Sequence, residues 1–224
     1  MRKADGLIMA GGKGSRFGSG EKPLAQIKGR PIIDYVVAAM MQARLVRWIY
    51  VAVSPHTPNT ARHLEKAWRG SVRLIHTPGA GYIEDLRRTA ATLHSPAILV
   101  CPADMPLLRG DLLDFVVESF FETGKPSLVV VVPLWLITRL GLESPFTMKV
   151  DGEEVAPSGV NVVNGIELAS RETLEESYLK VDVEAFAVNV NTVNHLKVAE
   201  RLLSPTKRSI PLEGHRPMRK FMKS

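Results

Sequence analysis

A chain of 224 residues suits one large domain, or a domain with a small subdomain, and its 45% hydrophobic and 23% charged content is ordinary for a globular protein. The longest apolar stretch, SLVVVVPLWLI at 127–137, is too short to cross a bilayer and contains Pro133, and MRKADG does not open a signal peptide, so a cytoplasmic protein with no membrane partner is expected. The net charge of +6 makes nucleic acid an unlikely partner once it is located: Lys207, Arg208, Arg216, Arg219, Lys220 and Lys223 against Glu213 put +5 in the last twenty residues and leave the body near +1.

In chain order, Leu7-Ile8-Met9 reads as a short buried strand. It opens into Gly11-Gly12-Lys13-Gly14, where missing β-carbons let the backbone turn tightly and point several N–H groups at one spot. That suits a polyphosphate, and Arg16 and Lys22 add positive charge within reach of the same anion. Pro23-Leu24 then ends the loop stiffly. A Walker A loop would need Gly-Lys-Ser/Thr at a helix N-terminus, which is absent. Glycines alone would fit a bare turn, but strand, AGGKGSR and EKPL together point to a nucleotide site.

Helical spacing follows at 32–43, 57–68, 82–93 and 110–121, with Ile33, Val36, Val37 and Met40 on one face of the first. Strands are expected at 47–53, 72–76 and 97–101 between these helices. Thr57 or Asn59 is placed to cap the second helix. Alternating strand and helix implies right-handed crossovers and a mostly parallel sheet with helices on both faces. Ligands of such sheets lie at the strands' carboxyl ends, so the loops after Met9, Val53, His76 and Cys101 should share one rim. Past 125 the rhythm changes. A strand at 127–132 is followed by shorter strands and turns over 145–165 and 178–191, with Asp151-Gly152 as a hairpin turn, making a small β-rich C-terminal part. A last helix covers 194–203, which bounds a domain at 1–204, and 205–224 reads as a flexible basic tail.

Several rim residues could do chemistry. Ser54, in SPHTPNT, offers a hydroxyl to base or ribose. Glu84 and Asp85 open the third helix, where acids are favoured by the macrodipole, but either carboxylate also suits guanine, whose N1–H and N2–H₂ are adjacent donors. Asp104, in PADMPL after a buried strand, is the first choice of metal ligand, because a triphosphate arrives with magnesium and magnesium wants oxygen. A turn or N-cap aspartate is the plain alternative. In FAVNVN, Asn189 and Asn191 share a side, and Asn191 is better placed for a metal or phosphate because Thr192 caps the next helix; asparagine also simply ends strands. Asn161 lies in a second glycine turn, PSGVNVV. Pro133–Ile137, with Trp135, is a candidate apolar surface beside the phosphates, although core packing explains most of these side chains. Cys101, the only cysteine, excludes an intrachain disulfide and reads as a buried hydrophobe, and the histidines lack zinc-site spacing.

The opening loop and PADMPL resemble the molybdenum-cofactor guanylyltransferases and the wider nucleotidyltransferase superfamily. EKPL, IDYVV, SPHTPNT, GYIEDL, PSGVNVV and NVNTVNHLKVAERLL look more narrowly like the archaeal GTP:adenosylcobinamide-phosphate guanylyltransferases of cobalamin biosynthesis, in that family's order and over most of 5–203. Ser158 stands where that family typically has Ala, and Ser15 where it usually has Thr. The resemblance implies a Rossmann-like nucleotidyltransferase fold, GTP as donor, adenosylcobinamide phosphate as acceptor, and magnesium as cofactor. By motif, Gly11, Gly12, Gly14, Arg16 and Lys22 would hold the triphosphate, and Asp104 and Asn191 would stand at the metal site. A homodimer is compatible with it. Two rivals remain: a molybdopterin guanylyltransferase or sugar-nucleotide synthase with another acceptor, and a nucleotide- or RNA-binding module without turnover.

Overall fold

Alternation of short β-branched runs with amphipathic stretches folds into one central sheet flanked by helices. The computed structural model describes residues 1–14, 20–204 and the backbone of 221–222. The first half runs β1 (Ala4–Met9), a 3₁₀ turn (Lys22–Leu24), the ribbon strands β2 (Gln26–Ile27) and β3 (Arg30–Pro31), α1 (Ile32–Gln42), β4 (Val46–Val53), α2 (Pro58–Ala67), β5 (Arg73–His76), α3 (Tyr82–Leu93), β6 (Ile98–Pro102) and α4 (Gly110–Thr123). The second half runs β7 (Ser127–Pro133), α5 (Leu134–Arg139), β8 (Met148–Val150), β9 (Glu153–Val163), α6 (Gly165–Ser170), β10 (Glu176–Lys180), α7 (Glu184–Ala187), α8 (Val193–Leu202) and β11 (Phe221–Met222).

The main sheet orders its strands β11-β10-β7-β9-β6-β1-β4-β5, with β8 paired to β9. Strand β1 pairs in parallel with both β4 and β6, and β4 pairs in parallel with β5. On the other wing β10 is parallel to β7. Strand β9 runs against both β6 and β7 and joins the wings. Period-2 alternation divides the core: Ile8 faces a large cluster that includes Val36, Met40 and Val116 of α1 and α4. Its neighbour Leu7 faces the opposite cluster, with Leu86 of α3 and Leu168 of α6. The expected mostly parallel sheet with helices on both faces is therefore what forms. Strand order turns at β1 and β6, and the ends of these strands mark the crevice where such sheets bind ligands.

The C-terminal half departs from expectation in two places. The segment expected to hold short strands and turns contains β9, an eleven-residue strand. Pro157 and Gly159 do not break it because its pairing with β7 shifts register between Val129 and Val131, and Gly159 takes φ +90° there. FAVNVN is not a strand: Phe186 and Ala187 end α7 and residues 188–191 form an extended strap outside the sheet. The hairpin at Asp151-Gly152 forms as read, with φ +48° and +80°, a pair that favours a tight two-residue turn. The expected flexible tail lies outside the described residues except for Phe221–Met222, whose backbone pairs antiparallel with β10. Among the described residues no helix is long and apolar enough to cross a membrane.

Candidate active site

The ends of β1, β5 and β6 enclose a cavity of about 530 Å³. Its lining includes Gly11, Gly12, Lys13 and Gly14 after β1, Thr77 and Gly79–Tyr82 after β5, and Ala103 and Asp104 after β6. Lys22, Asp85 and Asn191 reach it from other elements. Arg16 lies outside the described residues.

The glycine loop fits because it has no side chains where its neighbours crowd it. A β-carbon on Gly11 would stand 3.1 Å from Ser54 Cβ and 3.4 Å from Thr77 Oγ1. Gly14 takes φ +60°, a conformation other residues reach at a cost. Ser54 itself does not line the cavity. Its hydroxyl donates to the Gly11 carbonyl at 2.7 Å and accepts from His56 N–H at 3.1 Å, so the loop after β4 braces the glycine loop from behind. Three of the four strand-end loops expected on one rim thus line the cavity, and the fourth supports them.

Lys22 starts the 3₁₀ turn, and its ammonium bonds both Asp104 Oδ2 and, at 3.0 Å, Asn191 Oδ1. One cation therefore joins three segments that are far apart in the chain. Asp104 is buried, and its Oδ1 has no hydrogen-bond partner among the described residues. Burial pushes its carboxyl above the ordinary value, against the pull of the Lys22 charge and hydrogen bond. Asn191 is positioned by the strap: Val190 N–H donates to the Asp104 carbonyl at 2.9 Å, and Asn191 Nδ2 to Asn189 Oδ1 at 3.3 Å. Asn189 and Asn191 share a side as expected, although no strand holds them. Thr192 caps α8 by accepting from His195 N–H, again as read.

Glu84 and Asp85 part company. Glu84 is exposed and pairs with Arg88 at 2.7 Å, one helical turn on. Asp85 is buried and lines the cavity, and its Oδ1 is without a hydrogen-bond partner among the described residues. Asn161 sits on β9 opposite Val100, where its amide donates to the Gly159 carbonyl at 3.3 Å, and it does not line the cavity. Trp135 is 52% exposed under the Arg139 guanidinium and opens on a separate hollow with Glu153 and Glu154, so the proposed apolar surface at Pro133–Ile137 is not beside the glycine loop as a unit. Burial pushes the Cys101 thiol up, which keeps it inert.

Two features escaped the sequence. Thr77-Pro78-Gly79-Ala80-Gly81 forms a second glycine-rich wall, with φ +71° at Gly79 and +140° at Gly81. Two glycines one residue apart after a strand were the available signal. Glu21, ahead of the lysine, is structural: its carboxylate accepts from Asn59 N–H and Thr60 N–H at the start of α2, at 2.7 and 2.6 Å, so this acid caps the helix rather than Thr57 or Asn59.

Among the described residues no group of three or more His, Cys, Asp or Glu side chains could hold a metal alone. Asp104 Oδ2 and Asn191 Oδ1 nevertheless converge as hard oxygens on the Lys22 ammonium, a donor pair that suits magnesium arriving with phosphate oxygens and water.

Residues 6–136 match the model of the MobA-like NTP transferase domain. An adenosylcobinamide-phosphate guanylyltransferase of Methanocaldococcus jannaschii is 34% identical over 89% of this chain and 97% of its own. A probable molybdenum cofactor guanylyltransferase of Thermococcus kodakarensis is 32% identical, over 58% of this chain and 59% of its own. Among solved structures, a CMP:2-keto-3-deoxy-manno-octonic acid synthetase complexed with CTP superposes with a TM-score of 0.71 at 16% identity, covering 89% of this chain and 98% of that one. A 4-diphosphocytidyl-2C-methyl-D-erythritol synthase gives 0.64 at 15% identity, over 91% and 99%. These two establish the fold alone. The chain belongs to the MobA-like nucleotidyltransferases and, within them, to the adenosylcobinamide-phosphate guanylyltransferase family.

Proposed function

We propose that this protein transfers GMP from GTP to adenosylcobinamide phosphate, giving adenosylcobinamide-GDP and pyrophosphate. The observation that carries the reading is one cavity that gathers a glycine loop, the Lys22–Asp104–Asn191 cluster and the buried carboxylate of Asp85. In this reading Gly11, Gly12 and Gly14 cradle the triphosphate, with Arg16 and Lys22 supplying charge. Asp85 accepts from N1–H and N2–H₂ of guanine. Adenine would set its N1 lone pair against the same carboxylate.

The acceptor's phosphate oxygen attacks the α-phosphorus in line with departing pyrophosphate. That nucleophile is already ionised, so no general base is needed, and catalysis reduces to positioning and charge neutralisation. Magnesium, held through Asp104 and Asn191, would neutralise phosphate charge. Lys22 bonds Asp104 Oδ2 and Asn191 Oδ1, so its ammonium holds these two oxygens together beside the glycine loop, within the cavity that would take the phosphates. A molybdopterin guanylyltransferase is the second reading, but the probable molybdenum cofactor guanylyltransferase of Thermococcus kodakarensis matches only 58% of this chain.

The test is pyrophosphate release from GTP with adenosylcobinamide phosphate, molybdopterin or a sugar 1-phosphate as acceptor. Release with the corrinoid, well above the others, is expected. Release only with molybdopterin or the sugar phosphate overturns the acceptor assignment.

A further inference from the structure

Asn191 lines a second cavity as well as the first. This cavity, of about 290 Å³, lies beneath the loop after α5 and is lined by Ile137, Leu142, Phe146 and Phe186 together with His195. Most of these side chains have structural reasons to be where they are. Ile137, Leu142 and Phe186 are buried core residues. Phe146 is different: it is 61% exposed at the cavity rim, on a short turn closed by the Ser144 hydroxyl donating to its carbonyl at 2.7 Å. An aromatic ring left in water beside a largely apolar hollow that shares Asn191 with the glycine-loop cavity is placed for a ligand rather than for the core.

His195 supplies the polar end. Its Nδ1 lies 2.9 Å from the Asn189 carbonyl and 3.3 Å from Asn191 N–H, so the strap fixes the ring through that nitrogen whichever tautomer is present. Nε2 is then the nitrogen left to meet a ligand, and either the imidazolium or the Nε2–H tautomer can donate to a phosphate oxygen. Glu143, the one acid in the lining, is exposed.

We infer that this second cavity is the acceptor subsite: it takes the phosphate-bearing arm of the acceptor, with His195 toward the phosphate and Phe146 against the apolar macrocycle. The inference rests on the guanylyl-transfer reading above. An in-line attack requires the acceptor to approach from the side away from pyrophosphate, and the hollow that shares Asn191 with the nucleotide cavity provides that approach. A volume of 290 Å³ is too small for a corrin, so the ring must lie outside, where Phe146 is exposed. Trp135, on a different hollow, has no part in it.

Steady-state kinetics with GTP and adenosylcobinamide phosphate test this in wild type, Phe146→Ser, His195→Gln and Trp135→Ala, with GTP affinity measured separately by titration without acceptor. Phe146 is exposed, so its replacement leaves the fold intact. Losing an aromatic ring that the bound acceptor covers should raise the acceptor KM about tenfold or more, with GTP affinity changed by less than about twofold. His195→Gln should also raise the acceptor KM selectively, and Trp135→Ala should leave it unchanged. An unchanged acceptor KM in both Phe146→Ser and His195→Gln, with an active wild type, overturns the subsite alone. A wild type that binds GTP but does not use the corrinoid overturns the parent reading, and the subsite falls with it.

Discussion

At the scale of single residues, Lys22 bonds both Asp104 and Asn191, so three chain segments meet at one ammonium. Lys22→Ala should cost about 2.7–4 kcal/mol of transition-state stabilisation, the usual loss for one such contact to developing charge. The check is kcat of the purified variant alongside its thermal stability; wild-type turnover would remove Lys22 from the mechanism. The two adjacent acids separate on the same logic. Asp85→Asn should narrow the preference for GTP over ATP, because a site built on buried hydrogen bonds discriminates by leaving them unpaired. Glu84→Gln should not, since that carboxylate faces solvent and Arg88. Binding of GTP, ITP and ATP to both variants checks this, with ITP intermediate because it keeps N1–H and lacks the N2 amino group. In the sequence, Glu84 and Asp85 were equivalent. Neighbouring helical residues point about 100° apart, and only the packing of α3 decides which one turns inward. Lys22 and Asp104 were legible because each follows a motif with its own chemistry.

At the scale of elements, two scaffold features hold the cavity walls. Glu21 caps α2 from the segment that carries Lys22, so Glu21→Ala should cost about 0.5–2 kcal/mol in urea unfolding. Burial pushes the Glu21 carboxyl up, but hydrogen bonds from Thr60 and Asn59 outweigh it and leave the pKa below its ordinary 4.5. A lowered folded-state pKa means the contribution is full above about 4.5 and is lost as pH falls through the folded value. The stability gap between wild type and Glu21→Gln should therefore shrink in acid; a gap that widens there would contradict the cap. Gly159 is the second feature. A β-carbon there would stand 2.7 Å from Pro102 Cγ, at φ +90°. Gly159→Ala should destabilise by more than about 1 kcal/mol, read as a lower urea midpoint, and lower turnover by shifting the loop that carries Asp104. The first-half elements were legible because apolar periodicity and strand-helix alternation agree there. Strand β9 was not, since Pro157 and Gly159 read as breakers until the bulge accommodates them. The strap at 188–191 misled in the other direction, its alternation serving packing and the site without any sheet partner.

At the scale of the molecule, the parallel wing built from β1, β4, β5 and β6 carries the glycine-loop cavity, and the reversed β9 brings the C-terminal half alongside it. Asn191 belongs to that second half and closes the site, which is why the family model over 6–136 covers the glycine loop and Asp104 but not the whole cluster. On the proposed reading, the first half binds and orients the donor and the second presents the acceptor. The direct test follows the phosphorus atoms of GTP with adenosylcobinamide phosphate and magnesium present, using α-labelled and γ-labelled nucleotide in parallel. The α label should move to the corrinoid while the γ label leaves as pyrophosphate, in equal amounts. An α label retained in GDP, with the γ label released as inorganic phosphate, would mean hydrolysis and contradict guanylyl transfer.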